Sequence, residues 1–568
     1  MVLSKRWVIQ EVDELEAVER LSKELNINKT LARLLVLRGI TTFDEARKFF
    51  RPEWAHLHDP FLMVDMDKAV NRILDAMETG EKILVYGDYD VDGTTSVALV
   101  YSFLKNYYPN LAYYIPDRYK EGYGISFAGI DYAKEHSFAL IIALDCGIKS
   151  IDKVDYATER GIDFIICDHH LPGDEIPKAV AVLDPKRVDC NYPFDELSGC
   201  GIGFKLMQAY CIKAGIDVEK LYHYIDLVAV SIAADIVPIV GENRTLACMG
   251  LNKLNTKPLP GLKAILEHQK LNRELSISDV VFIIGPRINA AGRIESGSKA
   301  VELLISEHED HTVLPNADIN ENNTTRRDLD RSITQSAMDM IASNDVYTNR
   351  RSTVVYSPDW HKGVIGIVAS RLIESYYRPT IVLTKSGEHV AGSARSVKGF
   401  DVYEAILACS DLLIQFGGHK FAAGLTMEAD KVDAFIERFE EVVAATITEE
   451  SLTPEVEIDA EITFADITPK FYDVLKQFAP FGPGNMNPVF LSRGLKDRGY
   501  ARVVGAQHLK MDLTQNHSQP IFSAIGFGLG HWLQNVTNKL PFDACYSIEP
   551  NEWQGKITLQ LNIKDLAF

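Results

Sequence analysis

Apolar runs of strand length alternate with stretches of helical length through the first half of the chain. The runs Ile83 to Tyr86, Phe138 to Leu144 and Phe164 to Ile166 are short and continuous, as in strands that are buried on both faces. Stretches of helical character, such as Thr95 to Asn106 and Ile151 to Arg160, lie between them. Alternation of this kind is typical of βαβ units, so we predict an α/β fold built on a parallel sheet.

Changes in the same pattern predict the order of domains. Up to about residue 60 the chain reads as short helices, one of them starting near Thr42. Residues 316–345 are mostly polar around a thin apolar stripe, which is typical of an exposed helix that joins two domains. Past Thr453, short strands follow one another without long helices, as in a small β-barrel. We therefore predict five segments: an N-terminal helical segment (1–60), the α/β domain (61–315), a connecting helix (316–345), a smaller α/β domain (346–450) and a β-barrel (451–568).

Charge changes this picture more than composition does. The 568 residues are 46% hydrophobic and 24% charged, as in ordinary globular proteins. A formal net charge of −20 argues against a general affinity for nucleic acid. Residues 491–510 are an exception, with five bases against the single acid Asp497: Arg493, Lys496, Arg498, Arg502 and Lys510. Such a stretch either follows a phosphate backbone or forms a solvated surface.

The sequence offers no sign of a membrane or of an oxidising compartment. No apolar stretch approaches the ~20 residues of a membrane span, and Met1 to Leu15 lacks the core of a signal peptide. The eight cysteines form no CxxC pair, so neither a zinc site nor a disulfide framework is predicted. We expect reduced thiols and a cytoplasmic protein.

Metal-binding side chains follow three of the predicted strands. The heptapeptide GDYDVDG, Gly87 to Gly93, carries three alternating aspartates, Asp145 ends the second run, and Asp168-His169-His170 follows the third. The carboxyl ends of parallel strands lie at one edge of a sheet, where ligands bind. Acids held so closely repel one another unless cations lie between them. We therefore predict a metal site, to which Asp235, at the end of an apolar helix, adds a further carboxylate.

Other interpretations of the alternating aspartates remain. An EF-hand is excluded, because its twelfth loop position requires Glu and counting from Asp88 gives Leu99. A phosphatase of the haloacid dehalogenase type would use Asp90 as nucleophile and Asp92 as acid/base, but it has no role for the histidine pair. A single acidic turn without a ligand is the plainest alternative. Carboxylates combined with imidazoles suit Mn²⁺ or a similar ion.

Ten short motifs, spread over most of the chain, together carry a family resemblance. They are GDYDVDG (87–93), PDRYKEGYG (116–124), LDCG (144–147), DHH (168–170), LSGCGIGFKL (197–206), AADIVP (233–238), GPRINAAGR (285–293), WHKGVIGIVASRL (360–372), GSARS (392–396) and GGHKFAAG (417–424). In this order they resemble the RecJ family of the DHH phosphoesterase superfamily, whose members are exonucleases specific for single-stranded DNA. One departure is Asp184, which stands where relatives often carry asparagine before a proline.

The resemblance implies a set of site residues. Two divalent ions, Mn²⁺ or Mg²⁺, would be held by six ligands: Asp88, Asp90, Asp92, Asp145, His169 and Asp235. Asp145 would bridge the ions and His170 would face the scissile phosphate, so that Asp145, His169 and His170 are the predicted catalytic residues. Eight further residues would contact the substrate: Arg118, Tyr123, Arg287, Asn289, Arg293, Ser393, Arg395 and His419.

These substrate contacts compete with plainer structural roles. The glycine-rich segments around Ser393 and His419 suit close approach to phosphate, but glycines also make tight turns. An arginine beside a helix is often only an ion-pair partner. Tyr123 would either stack on a base or anchor its loop.

The same resemblance implies the domain types and the activity. Residues 61–315 would be the DHH catalytic domain, 346–450 the DHH-associated domain and 451–568 an OB-fold, with no further C-terminal module. The implied activity is 5′ to 3′ degradation of single-stranded DNA in recombination and repair, with a single-strand-binding protein and a repair helicase as partners. Polarity comes from the resemblance alone.

Two rival functions follow from the same superfamily. One is a phosphodiesterase for short oligonucleotides or cyclic dinucleotides, which would need neither the barrel nor this length. The other is a binding protein without catalysis, which the complete set of candidate ligands disfavours.

Overall fold

The computed structural model describes residues 4–267, 269, 271, 273–515, 520–538, 540–553 and 556–568. The chain forms two compact units. The first consists of the chain up to Gly39, Thr325–Leu475 and Pro488–Phe568. The second consists of Ile40–Thr324 and Lys476–Asn487. The whole of the predicted α/β domain (61–315) therefore lies in the second unit, together with a short segment from far along the chain.

The N-terminal residues form one strand and three helices: β1 (Arg6–Ile9), α1 (Leu15–Glu24), α2 (Lys29–Val36) and α3 (Phe43–Phe50). The helix predicted near Thr42 is α3, and it begins with a capping box in which the Thr42 hydroxyl accepts from the Glu45 amide. Strand β1 pairs in parallel with residues 455–458, a contact that the local pattern does not predict.

The predicted parallel sheet is present in the second unit. Its elements are α4 (Met66–Thr79), β2 (Lys82–Gly87), α5 (Val91–Lys105), β3 (Leu111–Tyr114), α6 (Phe127–Glu135), β4 (Phe138–Leu144), α7 (Ile151–Thr158), β5 (Asp163–Cys167) and β6 (Ala181–Leu183). The strand order is β3-β2-β4-β5-β6, and every pairing is parallel. Apolar side chains cover both faces, among them Val97 and Leu144 in one cluster and Ile130 and Val154 in the other. Burial on both faces explains why the strands are continuous apolar runs.

Helices complete the second unit. They are α8 (Gly199–Ala214), α9 (Ile225–Ala234), α10 (Gly241–Thr256), α11 (Pro260–Glu267), α12 (Ile277–Asp279), the π-helical turn Val280–Ile284, α13 (Gly285–Ile294) and α14 (Ser298–Leu304). The long helix α15 (Val313–Ala342) follows, and then α16 (Asp345–Asn349). Helices α9 and α10 approach closely because Gly250 has no side chain; a Cβ there would lie 2.4 Å from the Ile225 carbonyl oxygen.

The smaller α/β domain belongs to the first unit. Its elements are β7 (Thr353–Tyr356), α17 (Ile365–Tyr376), β8 (Thr380–Ser386), β9 (His389–Arg395), α18 (Val402–Leu407), β10 (Gln415–His419), β11 (Ala422–Met427) and α19 (Val432–Thr446). The sheet order is β10-β11-β9-β8-β7, with only β7 and β8 parallel. The apolar stripe of α15, including Ile333 and Ala337, packs in one cluster with Val364 and Val368.

The C-terminal region is rich in strands, as expected. Its elements are β12 (Glu455–Ile458), β13 (Ala460–Glu461), α20 (Pro469–Leu475), β14 (Phe490–Asp497), β15 (Arg502–Val504), β16 (His508–Gln515), β17 (Ile521–Gly526), α21 (Leu533–Thr537), β18 (Phe542–Trp553) and β19 (Lys556–Ala567). The sheet order is β13-β14-β18-β19-β17-β16-β15, and an additional pairing of β14 with β16 closes five strands into a barrel. This is the architecture of an OB-fold.

Within the described ranges, no helix combines the length and apolar character needed to cross a membrane. All eight cysteines are free, and six of them are buried: Cys146, Cys167, Cys200, Cys211, Cys409 and Cys545.

Candidate active site

The register of the parallel sheet places three acidic segments side by side. Gly87 at the end of β2 pairs with Leu144 at the end of β4, and Leu144 pairs with Cys167 at the end of β5. The next residue of each strand is an aspartate, so that Asp88, Asp145 and Asp168 leave the same edge of the sheet. Sheet order therefore brings together acids that lie far apart in the chain.

The segment after β2 folds tightly around the start of α5. The Asp90 carboxylate caps this helix by accepting from the Gly93 amide at 3.0 Å. A Cβ at Gly93 would lie 2.4 Å from the Asp88 carbonyl oxygen, so only glycine fits there. The turn therefore presents the carboxylates of Asp88, Asp90 and Asp92 around one helix terminus.

Asp92 is almost fully buried and is held from two other helices. Its carboxylate accepts from the Gly199 and Cys200 amides at 2.7 and 2.8 Å, and from the Ser231 hydroxyl at 2.7 Å. A Cβ at Gly199 would lie 2.6 Å from that of Asp145, so the start of α8 touches both carboxylates. Residues 197–206 carry one of the motifs of the family resemblance, but no role in the site was predicted for Gly199 or Ser231.

His169 lies at the centre of the acidic cluster. Its Nε2 is 3.2 Å from Asp145 Oδ1, 3.5 Å from Asp235 Oδ2 and 3.8 Å from Asp92 Oδ2. Neither ring nitrogen has a hydrogen-bond partner among the described residues, and the same holds for the buried Oδ2 of Asp88. Two sets of ligand atoms converge closely enough to share an ion: Asp92, His169 and Asp235, and Asp145, His169 and His170.

Electrostatics makes the same cluster unfavourable without a cation. Burial and the charge of Asp90 raise the pKa of Asp88 to about 8, and burial and the charge of Asp92 raise the pKa of Asp235 to about 8. Burial and the other carboxylates hold the pKa of Asp145 well above its usual range. A divalent ion would offset this repulsion. It could also be coordinated by the oxygen of Asp88 and the ring nitrogens of His169 that have no hydrogen-bond partner among the described residues, so these residues fit a metal centre.

His170 has a different environment from His169. Its Nδ1 lies 2.7 Å from Asp168 Oδ1, while Asp168 Oδ2 accepts from the Ile148 amide at 2.9 Å. Burial opposes ionisation of both groups, but their mutual interaction outweighs it and moves the pKa of Asp168 to about 2 and that of His170 to about 9. Asp168 thus orients His170 and keeps it protonated, a role that the sequence did not assign.

Tyr123 lies beside His170, at the edge of the acidic cluster. Its hydroxyl is 3.3 Å from His170 Nε2 and 3.3 Å from the Asp145 carbonyl oxygen, while 53% of the residue stays exposed. Burial and the nearby carboxylates, Asp145 first, raise the pKa of the phenol, so Tyr123 is neutral. The loop-anchor interpretation therefore has a geometric basis, and base stacking remains a prediction.

Two of the predicted substrate arginines surround the residue between Asp88 and Asp90. The Arg118 guanidinium lies 5.0 Å from the centre of the Tyr89 ring, and the charges of Arg118 and Arg293 both act on Tyr89. A Cβ at Gly292 would lie 2.7 Å from the Tyr89 carbonyl oxygen, so α13 packs directly against this turn.

Arg287 and Asn289 differ in their surroundings. Arg287 is mostly buried and donates to the Ile283 carbonyl at 2.7 Å and to Asn320 Oδ1 at 3.1 Å. These bonds tie α13 to the π-helical turn and to α15, which is a structural role. Asn289 is half-buried on the same helix.

In the first unit, the predicted contacts on β9 and β10 come into register. His419 pairs across the sheet with Ala422, which pairs in turn with Arg395. Arg395 donates to the Ser393 hydroxyl at 3.2 Å and to the Ala394 carbonyl at 2.8 Å, and burial lowers its pKa. No carboxylate of the described residues forms an ion pair with Arg395. A buried cation without an acid is a natural partner for an anionic ligand.

The basic stretch 491–510 is only partly available to a ligand. Arg493 forms ion pairs with Glu461 at 3.1 Å and with Asp543 at 3.0 Å, which favours a structural role for this residue. Arg502 and Lys510, in contrast, pair across β15 and β16. Like charges placed opposite each other are unfavourable unless an anion lies near them.

Three family models match: the DHH family, N-terminal domain, over residues 82–232; the DHHA1 domain over 349–445; and the RecJ OB domain over 458–565. A Bacillus subtilis relative named single-stranded-DNA-specific exonuclease RecJ is 37% identical over 578 residues, which cover 100% of this chain and 71% of the relative. The chain belongs to the RecJ family.

Other RecJ family members support the same assignment. The Escherichia coli RecJ is 32% identical over 560 residues, and the match covers 94% of this chain and 95% of that relative. The crystal structure of Thermus thermophilus RecJ in complex with Mn²⁺ matches with a TM-score of 0.85 at 25% identity, over 99% of this chain and 79% of that one. A second structure, of exonuclease RecJ bound to manganese, matches with a TM-score of 0.60 at 30% identity over 70% of this chain and 98% of that one. The α/β, DHHA1 and OB architecture expected from the sequence is thereby confirmed.

Proposed function

We propose that this protein is a metal-dependent exonuclease that hydrolyses phosphodiester bonds of single-stranded DNA from the 5′ end, in recombination and repair. The observation that carries the proposal is the convergence of Asp92, Asp145 and Asp235 on His169, whose imidazole has no hydrogen-bond partner among the described residues. The curated relatives are named as single-stranded-DNA-specific exonucleases, which supports the same activity here. The 5′ to 3′ polarity rests on family membership.

The proposed metal ligands are the six residues of the cluster: Asp88, Asp90, Asp92, Asp145, His169 and Asp235. Two Mn²⁺ or Mg²⁺ ions bound there would supply a nucleophile from water near neutral pH and charge stabilisation for the phosphate. Related structures contain Mn²⁺ or are bound to manganese, which supports this choice of ion.

The protein's own groups would then orient and stabilise the phosphodiester. His170, kept protonated by Asp168, presents a cationic imidazole to an anionic phosphate. The neutral hydroxyl of Tyr123 holds the far side of that ring in place. Hydrolysis places additional negative charge on the phosphate oxygens, and a fixed imidazolium stabilises this charge without reorganisation.

Arginines and the barrel would bind the rest of the strand. Arg118 and Arg293, next to the Asp88 turn, and Arg395 with Ser393 and His419, on the smaller sheet, are the proposed phosphate contacts. Asn289 and Arg287, on the same helix as Arg293, are further proposed contacts, and the bonds of Arg287 to Ile283 and Asn320 would hold its side chain in place. The facing pair Arg502 and Lys510 on the barrel favours single-stranded DNA over a cyclic dinucleotide as the substrate.

Protein partners and location are proposed on family grounds alone. The proposed partners are a single-strand-binding protein and a repair helicase. The proposed location is the cytoplasm.

The decisive experiment offers the purified full chain DNA labelled at either end, single-stranded or duplex, with Mn²⁺ or with chelator. We expect 5′-labelled single strands to lose their label as mononucleotides at once, while 3′-labelled strands shorten progressively and duplexes persist. Chelator should stop both reactions. Release of the 3′ label first would overturn the polarity, and digestion of only very short oligomers or cyclic dinucleotides would establish the rival function.

A further inference from the structure

A segment distant in sequence packs against residues 238–240, which follow the proposed metal ligand Asp235. Residues Lys476–Asn487 lie between α20 and β14 along the chain, yet they belong to the second unit. We call them the clip. Their sequence, KQFAPFGPGNMN, is rich in proline and glycine, which is typical of a fixed turn.

Arg244 holds the clip at its start. Its buried guanidinium donates to the carbonyls of Phe478 at 2.9 Å, Ala479 at 3.1 Å and Gln477 at 3.3 Å. It also donates to the Phe49 carbonyl at 2.9 Å, on α3. Four carbonyl contacts to one planar group fix the backbone of this segment with respect to α10, which carries Arg244.

Asn485 holds the clip from within. Its side-chain amide, buried to 1% exposure, donates at 2.8 Å to the carbonyls of both Phe478 and Pro480. Both ends of the turn are therefore tied together, and residues 481–484 project from a rigid base.

The projecting part of the clip docks on the residues that follow Asp235. The Ile239 amide donates to the Pro483 carbonyl at 2.7 Å. A Cβ at Gly482 would lie 2.5 Å from Ile239 Cδ1, and one at Gly484 would lie 2.9 Å from Val240 Cγ1. A side chain at either glycine would have to displace the Ile239 or Val240 side chain or the clip itself.

The chain between Asp235 and Ile239 has an unusual conformation. Ile236 adopts a φ of +60° with its side chain mostly exposed, although β-branched residues rarely occupy this region. Such a conformation persists only where the surrounding structure holds it. On one side Asp235 is fixed by its amide, which donates to the Ser231 carbonyl of α9 at 2.9 Å. On the other side, Val237 is buried in the main apolar cluster, the Pro238 carbonyl accepts from Asn243 Nδ2 at 3.0 Å, and Ile239 lies against the clip.

We propose that the clip positions Asp235 as a metal ligand, with Gly482 and Ile239 as the positioning residues. Contact with Ile239 keeps the strained Ile236 conformation, which in turn keeps the Asp235 carboxylate 3.5 Å from His169 Nε2. The inference rests on the metal centre of the proposed function. It adds that metal affinity depends on a turn between α20 and β14, within the stretch that matches the OB-domain model.

The test measures Mn²⁺ affinity of the full chain by calorimetry and by electron paramagnetic resonance of free Mn²⁺. Gly482→Val inserts three carbons against Ile239, and we expect the dissociation constant to rise about 10-fold or more, as when a group supporting a metal ligand is lost. Ile239→Ala removes three carbons at the same contact. The double variant should return to within about 3-fold of the wild type, because the volume exchange is balanced.

A matched control separates positioning from general stability. Leu262→Ala removes a fully buried side chain on α11 without touching the clip. It should lower the melting temperature in chelator while leaving the Mn²⁺ affinity of the folded protein unchanged. Asn485→Ala, which loosens the clip without adding volume, should weaken Mn²⁺ binding in the same direction as Gly482→Val.

Three results would overturn the inference: wild-type affinity in both Gly482→Val and Asn485→Ala, no rescue in the double variant, or an equal loss of affinity in Leu262→Ala. A wild-type chain that binds no Mn²⁺ would instead refute the metal centre itself.

Discussion

At the scale of single residues, the candidate site is a set of groups that oppose one another until an ion is bound. Burial and mutual repulsion raise the pKa values of Asp88, Asp145 and Asp235, while His169 has no hydrogen-bond partner in the described part of the chain. Asp92 differs, because three donors from α8 and α9 satisfy it. The cluster therefore combines one carboxylate that is held in place by hydrogen bonds with three carboxylates that repel one another.

Asp145→Asn should separate function from stability. The amide keeps the shape and tolerates the φ of +60° at this position, but it is a poorer ligand. We expect Mn²⁺-dependent cleavage to fall by more than the roughly 100-fold that loss of a supporting group costs. In chelator, the melting temperature should stay equal or rise, since one repelling charge is removed. Asp155→Asn on α7 is the control, and an active Asp145→Asn enzyme would remove Asp145 from the ligand set.

Asp168→Asn should change the pH dependence of cleavage. The wild-type His170 has a pKa of about 9, so the imidazole is protonated below this pH and loses its charge above it. Without the Asp168 carboxylate, burial dominates and the pKa of His170 falls. The alkaline limb of kcat/KM should therefore shift to lower pH, with activity better preserved at pH 6 than at pH 8. Titration of His170 by NMR gives an independent measurement, and an unchanged alkaline limb would contradict the role given to His170.

At the scale of elements, helix α15 is anchored to the smaller α/β domain by packing and by one buried ion pair. Arg371 on α17 donates to both oxygens of Asp330 through Nε and through Nη2 at 2.8 Å. The two partners differ in exposure, since the Asp330 side chain is 2% exposed and that of Arg371 is 49% exposed. Removing Arg371 therefore leaves a buried carboxylate, whereas removing Asp330 leaves a guanidinium that is half-exposed to water.

Arg371→Ala should destabilise the protein more than Asp330→Ala does. The first change leaves the buried Asp330 carboxylate with only Arg326 Nη1 at 4.0 Å and the Thr334 hydroxyl at 3.4 Å, which costs about 3 kcal/mol. The second leaves a guanidinium that water can reach, and the cost is about 1.5–3 kcal/mol for the lost hydrogen bonds. Urea unfolding of the full chain would measure both, and equal midpoints would contradict this asymmetry.

A second prediction at the scale of elements concerns how the barrel binds single-stranded DNA. Arg502 and Lys510 face each other across β15 and β16, so a DNA phosphate would relieve their repulsion. Arg502→Ala should weaken single-strand binding uniformly across sequences and reduce the slope of log K against log salt by about 0.7. The ion-paired Arg493, changed to Ala, should leave that slope unchanged. Equal slopes for Arg502→Ala and the wild type would exclude this pair from the DNA path.

At the scale of the whole molecule, the two units should respond differently to metal. All six proposed ligands lie in the second unit. Ligand binding to the native state stabilises it by about 2.7 kcal/mol at 100 times the dissociation constant. In calorimetry, Mn²⁺ should therefore raise the transition of the second unit, while that of the first unit stays in place. A shift of both transitions would indicate that the units unfold together, and no shift would argue against metal binding.

Much of the fold follows from local patterns. Strands β2, β4 and β5 lie close to their predicted apolar runs because strands buried on both faces need continuous apolar sequence. Helix α3 begins at the predicted cap, since Thr42 and Glu45 satisfy the first amides of the helix. The strand-rich C-terminal region was also predictable, but its helices α20 and α21 were not. Nor was the pairing of β1 with β12, because it joins the N-terminal segment to a strand far along the chain.

The sequence by itself determined which residues are available to build the site. These are the acids and imidazoles that follow the strands and the glycines that permit the turns. Only the tertiary structure decided which of them meet. The Gly199 amide reaches Asp92 across 107 positions, and Asp168 acts on His170 rather than within the acidic cluster. The clip reaches Ile239 from beyond residue 475. Local sequence encodes periodicity and turn chemistry, whereas contacts between distant segments depend on strand order and on how helices pack.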